Sequence, residues 1–340
     1  DFNNDHILDI FISSIDLEDS TRMYYGQING TFRDVTKLVN LDGIHGGLNA
    51  VQVDVNNDGL LDIFIMRGGW MWESGKISNS LLVNRNGKFY DLTRSSGLNS
   101  KFPTQVSVWA DVNLDGCIDT FIGNENHYSE LYINDCNGQF ENMAEEYGVL
   151  FRDFVKGASW GDINNDGLPD LLVSVYGSKN KLFLNKGSGK KMQLIKDSGI
   201  ESFIRMFPVW FFDYNNDGFE DIYMGYFQPV IHFFSNRILG DKTEIGGQLL
   251  INQKDLTFKS IDDSVESFNT MGANFGDLNS DGFLDYLVGT GSPYFTSLVP
   301  SEVYINASGN SRVNVTVDYG LGHLQKGHGI SFADIDYDGD

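Results

Sequence analysis

Residues 54–62 read DVNNDGLLD, and residues 1–9 read DFNNDHILD. The same arrangement returns as DVNLDGCID from Asp111, DINNDGLPD from Asp162, DYNNDGFED from Asp213, DLNSDGFLD from Asp277 and DIDYDGD from Asp334. The first aspartates of these seven copies lie 53, 57, 51, 51, 64 and 57 residues apart. Residues 1–340 are therefore one array with a period of roughly 55, and no separate domain or long linker interrupts it.

Four positions of the loop carry side-chain oxygens at short spacing. They are Asp1, Asn3, Asp5 and Asp9 in the first copy and Asp54, Asn56, Asp58 and Asp62 in the second. Asp111, Asn113, Asp115 and Asp119 follow, then Asp162, Asn164, Asp166 and Asp170, then Asp213, Asn215, Asp217 and Asp221. Asp277, Asn279, Asp281 and Asp285 make the sixth set, and Asp334, Asp336 and Asp338 begin a seventh. Hard oxygens in that density suit Ca²⁺, which takes about six to eight of them, so we expect about one ion per loop. Position 7 varies (Ile7, Leu60, Cys117, Leu168, Phe219, Phe283), as expected of a residue that contributes only its backbone carbonyl. Glycine at position 6 permits the positive φ of a sharp turn. His6 replaces it in the first copy, which we expect to bind more weakly.

An EF-hand would need a bidentate Glu at position 12 and flanking helices. Position 12 is instead Ile12, Ile65, Ile122, Val173, Met224 or Val288, none of which ligates a cation. Short apolar, β-branched runs follow the loops, as in LLDIFIMRG, CIDTFIGN, LPDLLVSVYG and FLDYLVGTG, and these read as strands. A lone DxNxDG can be an Asx-rich solvent turn. Seven copies, with Asp repeated at position 9 of every complete one, argue against that.

The chain is 41% apolar and rich in Gly, Asn and Asp, which fits an all-β protein with a large core. Its formal charge of −23 reflects the loops: 21 of its 47 acidic residues stand at their proposed metal-ligand positions, leaving 26 against 24 bases. No basic patch with interleaved aromatics appears, which argues against nucleic-acid binding, and no apolar run is long enough to span a membrane. Loops with a neutral Asn at position 3 suit millimolar rather than micromolar calcium. A secreted or cell-surface location, extracellular or periplasmic, follows as the expectation, and the sequons at Asn29, Asn306 and Asn314 agree with it.

Each repeat reads as four strands. One precedes the loop (VSVWADV, GASWGDI, GANFGDL), the apolar run follows it, and a third strand ends in an Asn-Gly-type turn (LLVNRNGKF, LYINDCNGQF, MYYGQINGTF). A fourth completes it (YDLTRSSGL, ENMAEEYGV, RDVTKLVNL). Four antiparallel strands at this period predict a β-propeller of six to seven blades, with the calcium loops between first and second strands. The loop, its apolar strand, the N-x-x-G-x-F turn and a trailing D-x-T resemble the FG-GAP/VCBS repeat proteins. That group includes the integrin α N-terminal propeller and the secreted acidic-cartilage-protein/UnbV (ASPIC/UnbV) group. The resemblance spans the whole chain and implies about seven blades with calcium on these loops. Phe275-Gly276 and Trp160-Gly161 match the FG half of the motif, whereas the GAP half is poorly kept (Val288-Gly289-Thr290 is nearest). The array supplies three strands of a first blade, five complete blades and one strand of a last. These strands either close a six-bladed ring, with GHGISFADI beside HILDIFIS, or belong to a larger one. We expect a piece, cut at both ends, of a seven-bladed parent.

The connections between second and third strands vary most, and variable loops on a rigid scaffold are where binding usually resides. They carry Trp70, Trp72, Tyr226, Phe227, Tyr294 and Phe295, candidates for stacking on a sugar or anchoring a protein on the face away from the metal loops. The only cysteines are Cys117 and Cys136. If CIDTFIG and ELYIN pair with Gly123 opposite Glu130, the two are cross-strand neighbours and we expect a disulfide; two free thiols are the alternative, required if their Cα atoms lie beyond roughly 7 Å. Gly157-Ala158-Ser159-Trp160-Gly161 matches G-x-S-x-G, but it runs into an acidic loop instead of a helix, as a nucleophile elbow would require. We therefore expect a non-catalytic, calcium-binding adhesion module for protein or glycan. A calcium-dependent polysaccharide lyase on the same propeller is the alternative.

Overall fold

A computed structural model describes residues 1–187, 189–227, 246–261, 269–291, 299–324, 327 and 329–334. The described elements are strands apart from one 3-10 turn at Trp72–Gly75. The chain divides into two compact units, Asp1–Val155 with Asn185–Gln193, and Lys156–Leu184 with Leu194–Asp340.

In the first unit β1 (Ile10–Ile12), β2 (Arg22–Gly26) and β3 (Phe32–Asp34) form a three-stranded sheet. A four-stranded antiparallel blade follows, of β4 (Asn49–Val53), β5 (Asp62–Met66), β6 (Ser80–Arg85) and β7 (Lys88–Asp91). The next is β8 (Thr104–Ala110), β9 (Asp119–Tyr128), β10 (Glu130–Asn134) and β11 (Phe140–Asn142). The start of β12 (Arg152–Gly161) also lies here, with Arg152 opposite Tyr128 and Phe154 opposite Glu125 on the far half of β9.

In the second unit β12 runs on beside β13 (Asp170–Val175), β14 (Lys181–Leu184) and β15 (Gln193–Ile195). Two further four-stranded blades follow. One is β16 (Met206–Phe212), β17 (Asp221–Tyr226), β18 (Gln248–Asn252) and β19 (Phe258–Ser260). The other is β20 (Thr270–Gly276), β21 (Asp285–Thr290), β22 (Glu302–Ala307) and β23 (Ser311–Asn314). Beyond them residues 329–334 run beside β20, where the Asn274 side chain donates to the Ile330 carbonyl at 3.1 Å. These are the blades of an all-β propeller protein.

The apolar strands β5 and β17 are buried on both faces because each face meets a different blade, whereas β1, after the first loop, leaves Ile10 and Ile12 exposed. All five residues of β5 are buried. Ile63 and Ile65 pack with Met23, Tyr25 and Leu41, and Phe64 and Met66 with Val55, Ile122 and Tyr132. Period-2 alternation thus divides one strand between two cores. In the second unit Ile222 and Met224 take one side and Tyr223 the other. Burying each such side chain is worth about 1.5–3 kcal/mol.

The motif glycines and threonines have packing roles. A Cβ on Gly161 would lie 2.5 Å from the Phe211 ring, and one on Gly276 would lie 2.7 Å from the Phe332 ring. Only glycine lets the aromatic of the following repeat sit against the end of the first strand. In the D-x-T tail, Asp91 accepts the Thr93 N–H at 3.1 Å, and the Thr93 hydroxyl accepts the Leu81 N–H at 2.7 Å. That Asx turn ends the fourth strand and pins it to the third.

Candidate metal centres

Every complete loop folds around its own backbone donors. In the loop from Asp54, Asp54 Oδ1 and Asn56 Oδ1 both accept the Asp58 N–H at 3.2 Å. Asp54 Oδ2 accepts the Gly59 N–H at 2.8 Å, and Asp58 Oδ1 accepts the Leu60 N–H at 2.9 Å. The oxygens of positions 1, 3 and 5 therefore gather about one turn. The same bonds recur from Asp111, Asp162, Asp213 and Asp277. They recur in the first loop as well, where His6 takes φ 66° and donates its N–H to Asp1 at 2.8 Å.

Position 4 is also left-handed, which the sequence reading missed. Asn4, Asn57, Asn165 and Asn216 have φ of 58°, 56°, 57° and 55°. Asn is the side chain that best tolerates this region after glycine. Each also reaches the next loop: Asn57 Nδ2 donates to the Gly116 carbonyl at 2.9 Å, Asn165 to Gly218 at 2.8 Å and Asn216 to Gly282 at 2.9 Å. Leu114 holds the same conformation, φ 57°, without an amide.

Position 9 behaves differently from the other acidic positions. Asp62 is fully buried, its Oδ2 accepting the Val55 N–H at 3.1 Å and its Oδ1 the Asn84 N–H at 2.7 Å. Asp119, Asp221 and Asp285 accept the equivalent pairs. Burial, with smaller repulsion from the carboxylates at positions 5 and 1, pushes Asp62, Asp119 and Asp221 up to about 6. The same causes raise Asp285. This carboxylate brackets the loop to the third strand of its own blade.

The partner in that bracket is the asparagine opening N-x-x-G-x-F. Asn84, Asn134, Asn252 and Asn306 are buried, and each side-chain amide reaches back to position 2 of the preceding loop. Asn84 donates to the Phe2 carbonyl at 2.8 Å, Asn134 to Val55 at 2.8 Å, Asn252 to Ile163 at 2.9 Å and Asn306 to Tyr214 at 2.7 Å. Asn185 makes the same bond to Val112 at 2.9 Å. The signal was present as an Asn at the end of the third strand in five repeats, with Gly26 in its place in the first, but the turn residues beside it had accounted for it. The Asn306 sequon is consequently buried, whereas Asn29 is exposed.

The donor set, two carboxylates and an amide oxygen at an exposed turn, fits a hard cation such as calcium. Among the described residues one trio of metal-ligating groups lies within 4.8 Å, Asp115 with Cys117 and Cys136, and its sulfurs are joined to each other. The position-7 side chains are half-buried, except for the buried Cys117. Asp334 lies within the described residues, and Asp336 and Asp338 lie outside them.

Cys117 and Cys136 form a disulfide with Cα atoms 5.3 Å apart. The expected register does not hold: Glu130 pairs with Ile122, not Gly123. Residues past Gly123 leave the hairpin to pair with β12, which moves the ladder by one. The cysteines still meet because both lie beyond the ladder, and Cys136 turns back at φ 67°.

On the opposite ends of the blades Trp72 is 66% exposed and Trp70 half-buried. Tyr226 corrects the expectation of a surface aromatic: it is buried with Met206 and Val209 because β17 continues through it. Phe227 stacks on Phe207 at 4.6 Å. Tyr294 and Phe295 lie outside the described residues. Ser159 sits within β12, its Oγ accepting the Phe211 N–H at 3.3 Å, so G-x-S-x-G is a stretch of strand and not an elbow. No helix of the described residues is long and apolar enough to cross a membrane.

No curated protein matches the sequence. Among solved structures the chain is similar to the V. cholerae biofilm matrix protein Bap1, with 15% identity, TM-score 0.39, and 78% of this chain and 38% of that one covered. It is also similar to a rhamnogalacturonan lyase of Bacillus licheniformis, with 11% identity, TM-score 0.45, and coverage of 92% and 62%. The chain thus spans less than two thirds of the length of either. The model of the FG-GAP-like repeat matches residues 1–65, 111–173 and 162–224, more than half of the sequence. With a buried aspartate and an inter-blade asparagine in repeat after repeat, and a glycine under the next aromatic in two of them, the chain belongs to the FG-GAP-like repeat family.

Proposed function

We propose that the chain is a calcium-stabilised, non-catalytic extracellular module that binds a protein or glycan ligand on the blade ends opposite its acidic loops. The observation that carries this reading is the repeated gathering of Asp, Asn and Asp oxygens from positions 1, 3 and 5 around one exposed turn. Calcium bound there would neutralise carboxylates that otherwise repel one another. Asp54 and Asp58 and their equivalents would hold it, Asn56 would add a neutral oxygen, and Asp62 would keep the loop anchored to the sheet. The Cys117–Cys136 disulfide supports an oxidising compartment, where calcium is millimolar.

The test is thermal unfolding with and without calcium. Metal-free protein should melt at a substantially lower temperature, calcium should restore it, and magnesium should do so poorly because it dehydrates reluctantly. An unchanged melting curve in excess chelator refutes the calcium reading.

A further inference from the structure

In the first unit three separate connections meet on the ends of the blades away from the acidic loops. The β5–β6 connection brings Trp70 and Trp72, the β7–β8 connection brings Phe102, and the ribbon of β9 with β12 brings His127, Tyr128, Arg152 and Phe154. Trp72 lies flat on Phe154, with centroids 5.7 Å apart and planes 16° apart, yet remains 66% exposed. Phe102 lies flat on His127 at 4.8 Å and 19°, and Tyr128 is 53% exposed.

The backbone presenting the indoles is unusual. Trp70 and Trp72 have φ of 69° and 52°, a left-handed conformation that is uncommon for bulky side chains. The buried Glu125 holds it there by accepting the Trp70 N–H at 2.8 Å.

Charges of both signs rim the rings. Lys76 pairs with Glu73 at 2.7 Å, and Arg152 Nε donates to the Asn126 carbonyl at 2.7 Å. Burial, then the charges of Lys76 and Arg152, lower the His127 pKa, so its imidazole is neutral at pH 7 and offers a donor and an acceptor. Centres of protein–protein interfaces are depleted of charge. Flat ring faces bordered by donors and acceptors instead match a pyranose, with its C–H face and its rim of hydroxyls. Lys76 is neutralised by Glu73 in its ion pair, and the chain's net charge of −23 disfavours an acidic glycan, so a ligand without net charge fits best.

We propose that this surface binds a neutral pyranose unit of a glycan, with Trp72 and Phe102 as stacking platforms and Glu73, Arg152 and His127 meeting the hydroxyls. The assignment rests on the reading of the chain as a ligand-binding module and narrows it to one ligand class and one surface. The test is affinity electrophoresis of the whole chain, in calcium, through gels containing a β-glucan, a galactomannan, a xylan or polygalacturonate. At least one neutral polysaccharide should retard the protein. Trp72→Ala and Phe102→Ala should each weaken that binding at least tenfold, while Tyr90→Ala, in the β6–β7 hairpin, should not. Melting temperature checks folding, and the exposure of Trp72 makes an unchanged value the expected one. Retardation by neutral polysaccharide that both variants leave intact overturns this surface and leaves the module reading standing. Retardation by polygalacturonate alone, or by none of the four, overturns the ligand class, and the chelator experiment judges the calcium reading independently.

Discussion

Two aspartates of one loop have different physical tasks, and substitution separates them. Asp58 is exposed at the turn, whereas Asp62 satisfies two N–H groups away from water. Asp62→Ala leaves both donors unpartnered and should cost about 2–4 kcal/mol whether or not calcium is present. Asp58→Ala should be costly only in calcium, and more so than Asp5→Ala, because the first loop carries His6 where glycine is preferred. Urea denaturation of the three variants with calcium and with chelator checks this; a calcium-dependent loss at Asp62 equal to that at Asp58 would contradict it. Leu114 is the converse case. A 57%-exposed leucine at φ 57° is strained without compensation, so Leu114→Asn should stabilise the chain by up to about 1 kcal/mol in the same measurement.

At the scale of the element, the third loop is the one tied covalently to the hairpin of its own blade. The disulfide closes a segment with sequence separation 19. Chain entropy assigns such a closure about 3 kcal/mol. Cys136→Ser should therefore lower the unfolding free energy measured in urea by that amount, and a reducing agent should do the same to the unsubstituted chain. No response to reductant in either would argue that the loop is held by its hydrogen bonds alone. The strand pattern made the hairpin legible, through apolar runs flanking NDCNG, but not its register. The register depended on residues 125–128 pairing with β12 instead of β10, and a partner one blade away leaves no mark in the local pattern.

Across the whole molecule the acidic loops dominate the response to pH. Burial first, and neighbouring aspartates second, hold Asp62, Asp119 and Asp221 protonated to about pH 6 in the folded chain. The unfolded chain releases those protons near pH 4. Between these values the folded state binds more protons, so metal-free protein should become more stable as pH falls from about 7 to 4. Fewer charges on a chain of net −23 act in the same direction. Calcium reverses the slope if it binds, because its ligands must be deprotonated. Melting temperatures of calcium-loaded and metal-free protein across that range check both signs, and parallel curves would show that no ion engages the loops.

The sequence by itself determined what is local. The spacing of Asp, Asn and Gly dictates turns with gathered oxygens, and the β-branched runs after them dictate strands. Their repetition dictates a stack of blades, because none can cover both faces of its second strand alone. Tertiary structure decided which groups those elements meet. It turned the last aspartate of each loop inward, and it spent Asn134 and Asn306 on carbonyls 79 and 92 residues away. It buried Tyr226 and left Trp72 outside against Phe154. The physical reason is the same in each case: a turn closes through bonds a few residues long that its own side chains specify, whereas a buried polar group must find its partner on whichever blade packs against it.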